Sequence, residues 1–273
     1  MNLPMGAFGP LQKILNAMRK SWRRFRKRRA DFGAYNRWLT NHPSSTFKEF
    51  YVHTIMGHLV GEGGRHSTLG ADPIWEKQGE EVLLRLTQLG LRPSDVVVDY
   101  GCGTLREGIH LIRYLDTGRY IGLDIDERIL SAGRRLLGQE LLAEKQPHLA
   151  IINPSLITQV AAAKPAWIVS SYVLSQMPPE DLDEYFDNLA KLAEGGGKAA
   201  LQVRLAWRTM QYSKTGWCHN RRRMARRLAE RGFEILQMRT CRFKSKPYKV
   251  QGLNVRFVVR RIAPQNRSAG MSA

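Results

Sequence analysis

Residues 95–103 read Asp-Val-Val-Val-Asp-Tyr-Gly-Cys-Gly, a β-branched run that ends in an acid and a Gly-x-Gly turn. β-branched residues suit a strand that is buried on both faces of a sheet. Gly101 and Gly103 would let the backbone approach a ligand that side chains would otherwise block. In open α/β sheets ligands bind outside the carboxyl ends of the strands, so the stretch predicts a buried strand followed by a binding crevice.

A second buried strand is predicted by residues 120–126, which read Tyr-Ile-Gly-Leu-Asp-Ile-Asp. It ends in Asp124, and an ionised carboxylate there could accept hydrogen bonds from both hydroxyls of a ribose. A dinucleotide site fits less well, because Gly103 is followed by Thr104, Leu105 and Arg106 and the third glycine of Gly-x-Gly-x-x-Gly is missing.

The two segments resemble the motifs of class I (Rossmann-like) S-adenosylmethionine-dependent methyltransferases. In that family a hydrophobic strand runs into Asp-x-Gly-x-Gly, and the next strand ends in the acid that holds the ribose. Gly101-Cys102-Gly103-Thr104-Leu105-Arg106 looks closest to uncharacterised bacterial members, and Leu105 departs from a glycine that is common there. The resemblance covers about residues 75–262. It implies an enzyme that uses S-adenosyl-L-methionine as cofactor and transfers a methyl group.

Strands and helices alternate from residue 95 onward, which predicts an α/β fold with a mostly parallel sheet. The resemblance implies seven strands with helices on both faces and a last strand that runs antiparallel. The predicted strands cover residues 95–99, 119–124, 149–153, 167–171, 198–203, 233–240 and 254–261. The main predicted helices cover residues 105–115, 127–144, 180–193 and 219–231.

Three further helices are predicted before the first strand. Residues 8–29 form an amphipathic pattern with nine Lys/Arg between Lys13 and Arg29. Thr46 and Glu49 have the spacing of a capping box at the start of the second helix. The third runs from Asp72 to Gly90. We therefore expect a basic helical extension at 1–74, a methyltransferase domain at 75–262 and a disordered tail at 263–273.

The resemblance also assigns a cofactor site. Asp124 is expected to bind the ribose, the loop at 100–103 the methionyl part, and Ile125 and Asn153 to border the adenine. Asp99 is expected to order the loop from behind. The predicted cofactor-binding residues are Asp99, Tyr100, Gly101, Cys102, Gly103, Asp124, Ile125 and Asn153.

A general base is needed only if the methyl acceptor is a hydroxyl. Two weak candidates are His66, in the loop at 61–71, and Tyr172, which follows the fourth strand. Four other histidines lack the spacing of metal ligands, so no metal is expected: His53, His58, His110 and His219. The chain also lacks the Asn/Asp-Pro-Pro-Tyr/Phe and Pro-Cys segments of enzymes that methylate nucleic-acid bases.

The formal net charge of +19 is concentrated at the two ends of the sequence. Residues 1–50 hold 11 Lys/Arg against 2 acids, and residues 204–261 hold 17 against 2. The basic N-terminal helix at 8–29 could lie on an anionic membrane surface, or both basic ends could bind nucleic acid. Alternatively, the first helix is a solvated helix that packs on the core by its apolar side. Three scattered cysteines indicate a reducing interior. No apolar run approaches the roughly 18 residues that span a bilayer.

These observations predict a cytoplasmic methyltransferase that is peripheral to the inner membrane. Its acceptor would be a small molecule, a lipid-linked compound or a glycan. Two alternatives remain open at the level of the sequence: an RNA methyltransferase, and a non-catalytic S-adenosylmethionine-binding protein.

Overall fold

The computed structural model describes residues 33–59, 72–245 and 250–262. The predicted helix at 8–29, the loop at 61–71 with His66, and the tail at 263–273 lie outside these residues. Within the described ranges three helices precede the sheet: α1 (Ala34–Asn41), α2 (Phe47–Leu59) and α3 (Asp72–Gln88). The capping box at α2 is confirmed, because the Thr46 amide donates to Glu49 Oε2 at 2.7 Å and the Glu49 amide donates to Thr46 Oγ1 at 3.3 Å.

The sheet has the predicted mostly parallel arrangement. Its strands are β1 (Val97–Tyr100), β2 (Tyr120–Asp124), β3 (His148–Ile151), β4 (Trp167–Ser171), β5 (Lys198–Ala206), β8 (Phe233–Ser245) and β9 (Val250–Arg261). β3, β2, β1, β4 and β5 are parallel neighbours in that order. β9 then pairs antiparallel with β5, and β8 pairs with β9. The mostly parallel sheet with an antiparallel last strand is thus confirmed, and two short further strands bring it from the predicted seven to nine within the described residues.

In the described part of the chain six α-helices follow the first strand: α4 (Gly108–Tyr114), α5 (Glu127–Leu137), α6 (Gln139–Lys145), α7 (Pro154–Ala162), α8 (Leu182–Leu192) and α9 (Arg221–Glu230). The prediction of one helix over 127–144 was wrong, because Gly138 at φ 79° separates α5 from α6. α7 was not predicted. It begins where the Asn153 side chain accepts a hydrogen bond from the Leu156 amide, just after the third strand.

The predicted helix at 219–231 also begins later than expected. Residues 217–220 form a strand, β7 (Trp217–Asn220), which pairs with β6 (Met210–Gln211) and with the end of β5. α9 starts only at Arg221, because the Asn220 side chain accepts a hydrogen bond from the Arg223 amide at 3.0 Å and caps the helix. His219 therefore lies in a strand.

Alternate residues of the sheet supply two hydrophobic layers. Val98, Leu201 and Val203 pack with α7, α8 and α9 on one face. Val97 and Ala200 pack with α3, α4 and α5 on the other. Because both faces are covered, the open edge at the carboxyl ends of the strands is the place where a ligand can reach the sheet.

The helices before the sheet contact the domain directly. α3 contributes Trp75, Val82 and Leu86 to the second hydrophobic layer. Ile55 of α2 packs against Ile129 of α5. The division of the chain at residue 74 stays a prediction. None of the helices in the described ranges is long and apolar enough to cross a membrane.

Candidate functional site at the ends of β1 and β2

In the loop after β1 every second residue from 101 to 105 has a left-handed backbone conformation: Gly101 (φ 83°), Gly103 (φ 56°) and Leu105 (φ 65°). A Cβ at Gly101 would lie 2.2 Å from Val173 Cγ2, so the loop packs too closely for a side chain there. A Cβ at Gly103 would meet no atom within 4 Å. Gly101 is therefore needed for packing, whereas Gly103 leaves the backbone open to a cleft.

Asp124 ends β2 beside this open glycine. Its Oδ2 accepts a hydrogen bond from the Gly103 amide at 2.7 Å, and its Oδ1 accepts one from the Ile125 amide at 2.7 Å. Burial raises the pKa of Asp124, while the two backbone hydrogen bonds oppose that shift. The carboxylate thus ties the glycine loop to the end of the neighbouring strand.

Asp99 lies behind the loop and faces the interior. It is 2% exposed and accepts a hydrogen bond from the Tyr120 hydroxyl at 2.8 Å. Burial, with the nearby Glu107 carboxylate as the next cause, raises the pKa of Asp99 from 3.8 to about 8. The Tyr120 hydroxyl in turn sits against Gly108, where a Cβ would come within 2.5 Å. Asp99 and Tyr120 therefore form a buried pair under the start of α4.

The other predicted cofactor residues are placed in different ways. The Tyr100 side chain is buried and its hydroxyl accepts a hydrogen bond from Asn188 Nδ2 at 3.0 Å. Cys102 is also buried, and burial raises the pKa of its thiol well above the usual range. Ile125 packs beside Ile55 and Ile129 near Asp124. Asn153 is exposed and caps α7. The structure thus brings Gly103, Asp124 and Ile125 together at one edge.

The three cysteines differ in their surroundings. Cys102 and Cys218 are buried, and Cys241 on β8 is exposed. Burial raises the pKa of Cys218 to about 11.

α2 brings a residue to this edge that sequence reasoning missed. Burial, together with the charges of Asp124 and Tyr212, raises the pKa of Tyr51 far above its usual range. Tyr51 belongs to the same cluster as Ile55 and Ile125. The capping box of Thr46 and Glu49 predicted where α2 begins, but it carried no information about which part of the domain the helix covers.

Tyr172, one of the two candidate bases, follows β4 in an unusual conformation. Its φ is 64°, and left-handed backbone at a bulky residue costs about 1–3 kcal/mol. Its hydroxyl accepts a hydrogen bond from Gln202 Nε2 at 2.7 Å. The Arg204 guanidinium lies 4.8 Å from the Tyr172 ring centre and 4.6 Å from that of Tyr212, and it also donates to the Tyr212 hydroxyl. Strain of this kind clusters at functional sites.

A polar cavity of about 320 Å³ lies beside the glycine loop and reaches the sheet. Its walls come from α3, the segment after the loop, and strands β5 and β9; the lining residues are Lys77, Gln78, Glu81, Arg106, Glu107, Tyr172, Gln202 and Arg256. Arg106 donates to Glu107 Oε1 from Nη2 at 2.5 Å and to Gln78 Oε1 from Nη1 at 2.9 Å. The cavity is thus next to the loop on the side of Tyr172.

Among the histidines whose side chains are described, His219 is the most enclosed. Its Nε2 lies 2.6 Å from the Leu174 carbonyl oxygen, which fixes the proton on Nε2, and burial lowers the pKa of the ring. Its Nδ1 is buried without a hydrogen-bond partner in the described part of the chain. No group of three or more His, Cys, Asp or Glu residues that could hold a metal occurs within residues 33–59, 72–245 and 250–262.

Comparison with known proteins gives the class of the fold. No protein-family model matches the chain. Magnesium protoporphyrin IX methyltransferase from Synechocystis PCC 6803, solved with bound SAH, superposes with a TM-score of 0.52 at 19% identity, over 68% of this chain and 83% of that one. A 1,6-didemethyltoxoflavin-N1-methyltransferase from Burkholderia thailandensis superposes with a TM-score of 0.52 at 14% identity, over 79% of this chain and 91% of that one.

A third structure agrees with these two. A SAM-dependent methyltransferase from Anabaena variabilis superposes with a TM-score of 0.52 at 16% identity, covering 66% of this chain and 83% of that one. The chain therefore has the Rossmann-like fold of class I S-adenosylmethionine-dependent methyltransferases, as the resemblance implied. At these identities the likeness concerns the fold.

Proposed function

We propose that the protein is a methyltransferase that uses S-adenosyl-L-methionine. The observation that carries the proposal is the Asp124 carboxylate, held against the open backbone of Gly103 at the shared edge of β1 and β2. A carboxylate at the end of the second strand suits a ribose, and a glycine with free space beside it suits a ligand that approaches the backbone. These residues fit an adenosyl cofactor.

Four parts of the chain would hold the cofactor. Asp124 would bind the ribose hydroxyls, and the loop at 100–103 would take the methionyl part. Ile125, with Ile55 of α2 beside it, would border the adenine, and Asn153 would stand at the far side of that pocket. Asp99 would act from behind the loop. S-adenosylmethionine, when bound, supplies a methyl group on a positively charged sulfur, so the protein mainly has to align the acceptor with it.

The acceptor would enter on the side of Tyr172. The hydrogen bond from Gln202 and the stacked Arg204 hold the Tyr172 side chain in one position, which suits a residue that orients a second substrate. If the acceptor is a hydroxyl, a base must accept its proton. Tyr172 remains our candidate among the described residues, and His66 remains a prediction from the sequence.

Titration calorimetry with S-adenosylhomocysteine tests the cofactor site. We expect the wild-type protein to bind it, and Asp124→Ala to weaken binding by about tenfold or more, because a charged group that accepts two hydrogen bonds is lost. Asp126→Asn is the matched control, since Asp126 is two residues away and its side chain caps α5. A wild-type protein that does not bind this compound would contradict the proposal.

We further propose that the enzyme works at an anionic membrane surface, on a small-molecule, lipid-linked or glycan acceptor. Trp207 is 73% exposed and the Arg208 guanidinium lies 4.8 Å from its ring centre. The exposed Arg221, Arg222 and Arg223 follow Asn220, whose side chain donates to the Trp207 carbonyl oxygen at 2.5 Å. An exposed tryptophan among basic residues suits the headgroup region of a bilayer.

Vesicle flotation tests this surface. We expect Trp207→Ala to lower the fraction bound to anionic vesicles, and Leu84→Ala to leave it unchanged, because Leu84 is 59% exposed but lies on α3. Binding that is equal in both variants would contradict the membrane surface. A gel shift with RNA that weakens steeply with salt would instead favour the RNA methyltransferase.

The third alternative is a protein that binds the cofactor without catalysis. Incubation with labelled S-adenosylmethionine and cell extracts of lipids, glycans and RNA tests it. Cofactor binding without label transfer to any fraction would favour the non-catalytic protein.

A further inference from the structure

The charges of Arg239 of β8 and Arg256 of β9 act on the Arg85 guanidinium of α3, so three arginines from three elements lie near one another. Arg239 and Arg256 are directly opposite each other in the β8–β9 ladder, and Arg256 lines the cavity. Like charges in directly opposed positions of a ladder destabilise the pair. We call these three residues the arginine cluster.

The charge of the cluster is only partly balanced. Arg256 Nη2 lies 3.3 Å from Glu81 Oε2. The Nε and Nη1 atoms of Arg85 are buried and have no hydrogen-bond partner within the described ranges. Burial, with the charges of Arg256 and Arg239 adding to it, lowers the pKa of Arg85 to about 10. Buried donors without hydrogen-bond partners lower the free energy of unfolding of the protein.

The remaining acid near the cluster is already engaged. Glu107 accepts two hydrogen bonds from Arg106, at 2.5 and 3.0 Å. Within the described residues Glu81 pairs with the cluster through Arg256, and the charges of Arg85 and Arg239 add to that of Arg256. The resulting excess of positive charge matches a doubly negative group better than a single carboxylate. Arginine clusters of this kind recognise phosphate, because the guanidinium fork matches its oxygens.

The cavity connects the cluster to the glycine loop. Its lining runs from Arg256 through Gln202 to Tyr172, and the next residue, Val173, packs against Gly101. A ligand anchored at Arg256 would therefore extend toward the loop at 100–103, which is predicted to bind the methionyl part of the cofactor.

We propose that the arginine cluster binds the phosphate group of the methyl acceptor, so that the acceptor is a phosphate-bearing compound whose reactive end lies near Tyr172. This inference rests on the proposed methyltransferase function and specifies its substrate class. The carrier of the phosphate is either a free molecule or a lipid headgroup.

Calorimetric titration of the full-length protein with inorganic phosphate tests whether the arginine cluster binds phosphate. We expect Arg256→Gln to weaken phosphate binding by about tenfold or more, since a hydrogen bond between charged groups is worth about 1.5–3 kcal/mol. Arg260→Gln is the matched control, because Arg260 lies on the same strand and pairs with Glu234 at 2.5 Å. Arg85→Met should weaken binding as well and leave the thermal midpoint no lower, because it removes buried donors without partners.

Vesicles of phosphatidylcholine with and without phosphatidic acid distinguish the two sources of the phosphate. Binding of inorganic phosphate that depends on Arg256 supports a free acceptor. Binding only to phosphatidic acid vesicles, again with loss in Arg256→Gln and not in Arg260→Gln, supports a lipid headgroup. Failure of both, or equal effects of the two variants, overturns the inference.

S-adenosylhomocysteine titrations of the same variants separate this inference from the function on which it rests. We expect Arg256→Gln to bind S-adenosylhomocysteine as the wild type does. Retained cofactor binding without phosphate binding overturns the phosphate site and leaves the methyltransferase proposal intact. Phosphate binding in a protein that does not bind S-adenosylhomocysteine overturns the methyltransferase proposal and leaves the phosphate site intact.

Discussion

At the scale of single residues, the two acids at the ends of β1 and β2 have different surroundings. Asp124 accepts two backbone hydrogen bonds, which favour its charged form. Asp99 has one partner, the Tyr120 hydroxyl, in a site from which water is excluded. Only Asp124 is therefore placed to act as a charged ligand-binding group.

Asp99 should make the stability of the protein depend on pH. Its pKa rises from the ordinary 3.8 to about 8 in the folded protein, so between these values the folded chain keeps a proton that the unfolded chain loses. The free energy of unfolding should therefore fall as the pH rises through this window. We expect Asp99→Asn to flatten that fall by more than about 1 kcal/mol.

Urea unfolding at about pH 5 and about pH 8 measures this effect. Asp116→Asn is a suitable control, because Asp116 is exposed on the loop before β2. An unchanged pH dependence in Asp99→Asn would contradict the buried, protonated state of Asp99.

The two glycines of the loop should respond differently to alanine. Gly103→Ala adds a methyl group to open space and costs only the left-handed backbone, about 1–2 kcal/mol, but the methyl group would obstruct the cleft. Gly101→Ala has the same backbone cost, and its methyl group would also clash with the Val173 side chain. It should therefore destabilise the fold more strongly. Unfolding curves and S-adenosylhomocysteine titrations distinguish the two, and equal stability losses would contradict the packing at Gly101.

At the scale of secondary-structure elements, α2 is the cover of the edge where β1 and β2 end. Its Ile55 is 4% exposed and packs against Ile129 of α5, and its Tyr51 lies near Asp124. The helix thus links the segment before the sheet to the candidate cofactor site.

Truncation of Ile55 should loosen this cover. Ile55→Ala removes a buried side chain, with a cost of about 2–4 kcal/mol, and we expect faster hydrogen exchange in peptides from residues 47–59. Affinity for S-adenosylhomocysteine should fall with it. His53→Ala, on the exposed side of α2, is the control; if both variants exchange alike, α2 is not held by this contact.

The elements also explain which features the sequence could predict. Local signals sufficed for β1 and β2, whose β-branched residues end in acids, and for the capping box of Thr46 and Glu49. The break at Gly138 was missed because the apolar spacing continues across it. β6 and β7, which pair with each other, were missed because the two residues of β6, Met210–Gln211, are too short to form a pattern. The approach of Tyr51 to Asp124 depends on tertiary packing, which no local pattern reports.

At the scale of the whole molecule, positive charge exceeds negative charge by 19. Several arginines are neutralised locally; Arg227 of α9 and Arg231, which follows that helix, pair with Asp183 of α8, and Arg231 also pairs with Asp187. The remaining excess should repel itself and oppose the compact state.

Sodium chloride should therefore raise the thermal midpoint. Screening shortens the range of the repulsion from about 30 Å at 0.01 M salt to about 8 Å at 0.15 M. We expect the midpoint to rise by a few degrees over that range, measured by calorimetry. A fall would mean that attractive pairs such as Arg231–Asp187 outweigh the repulsion.

The positions of the three thiols provide a built-in site for labelling. Cys102 and Cys218 are enclosed and have raised pKa values, whereas Cys241 is exposed on β8. A maleimide dye should attach to Cys241 alone in the folded wild-type chain, since thiolates react and buried thiols do not. Arg239, two residues away on the same strand, belongs to the arginine cluster. The fluorescence of a single dye on Cys241 could therefore report phosphate binding without any engineered cysteine.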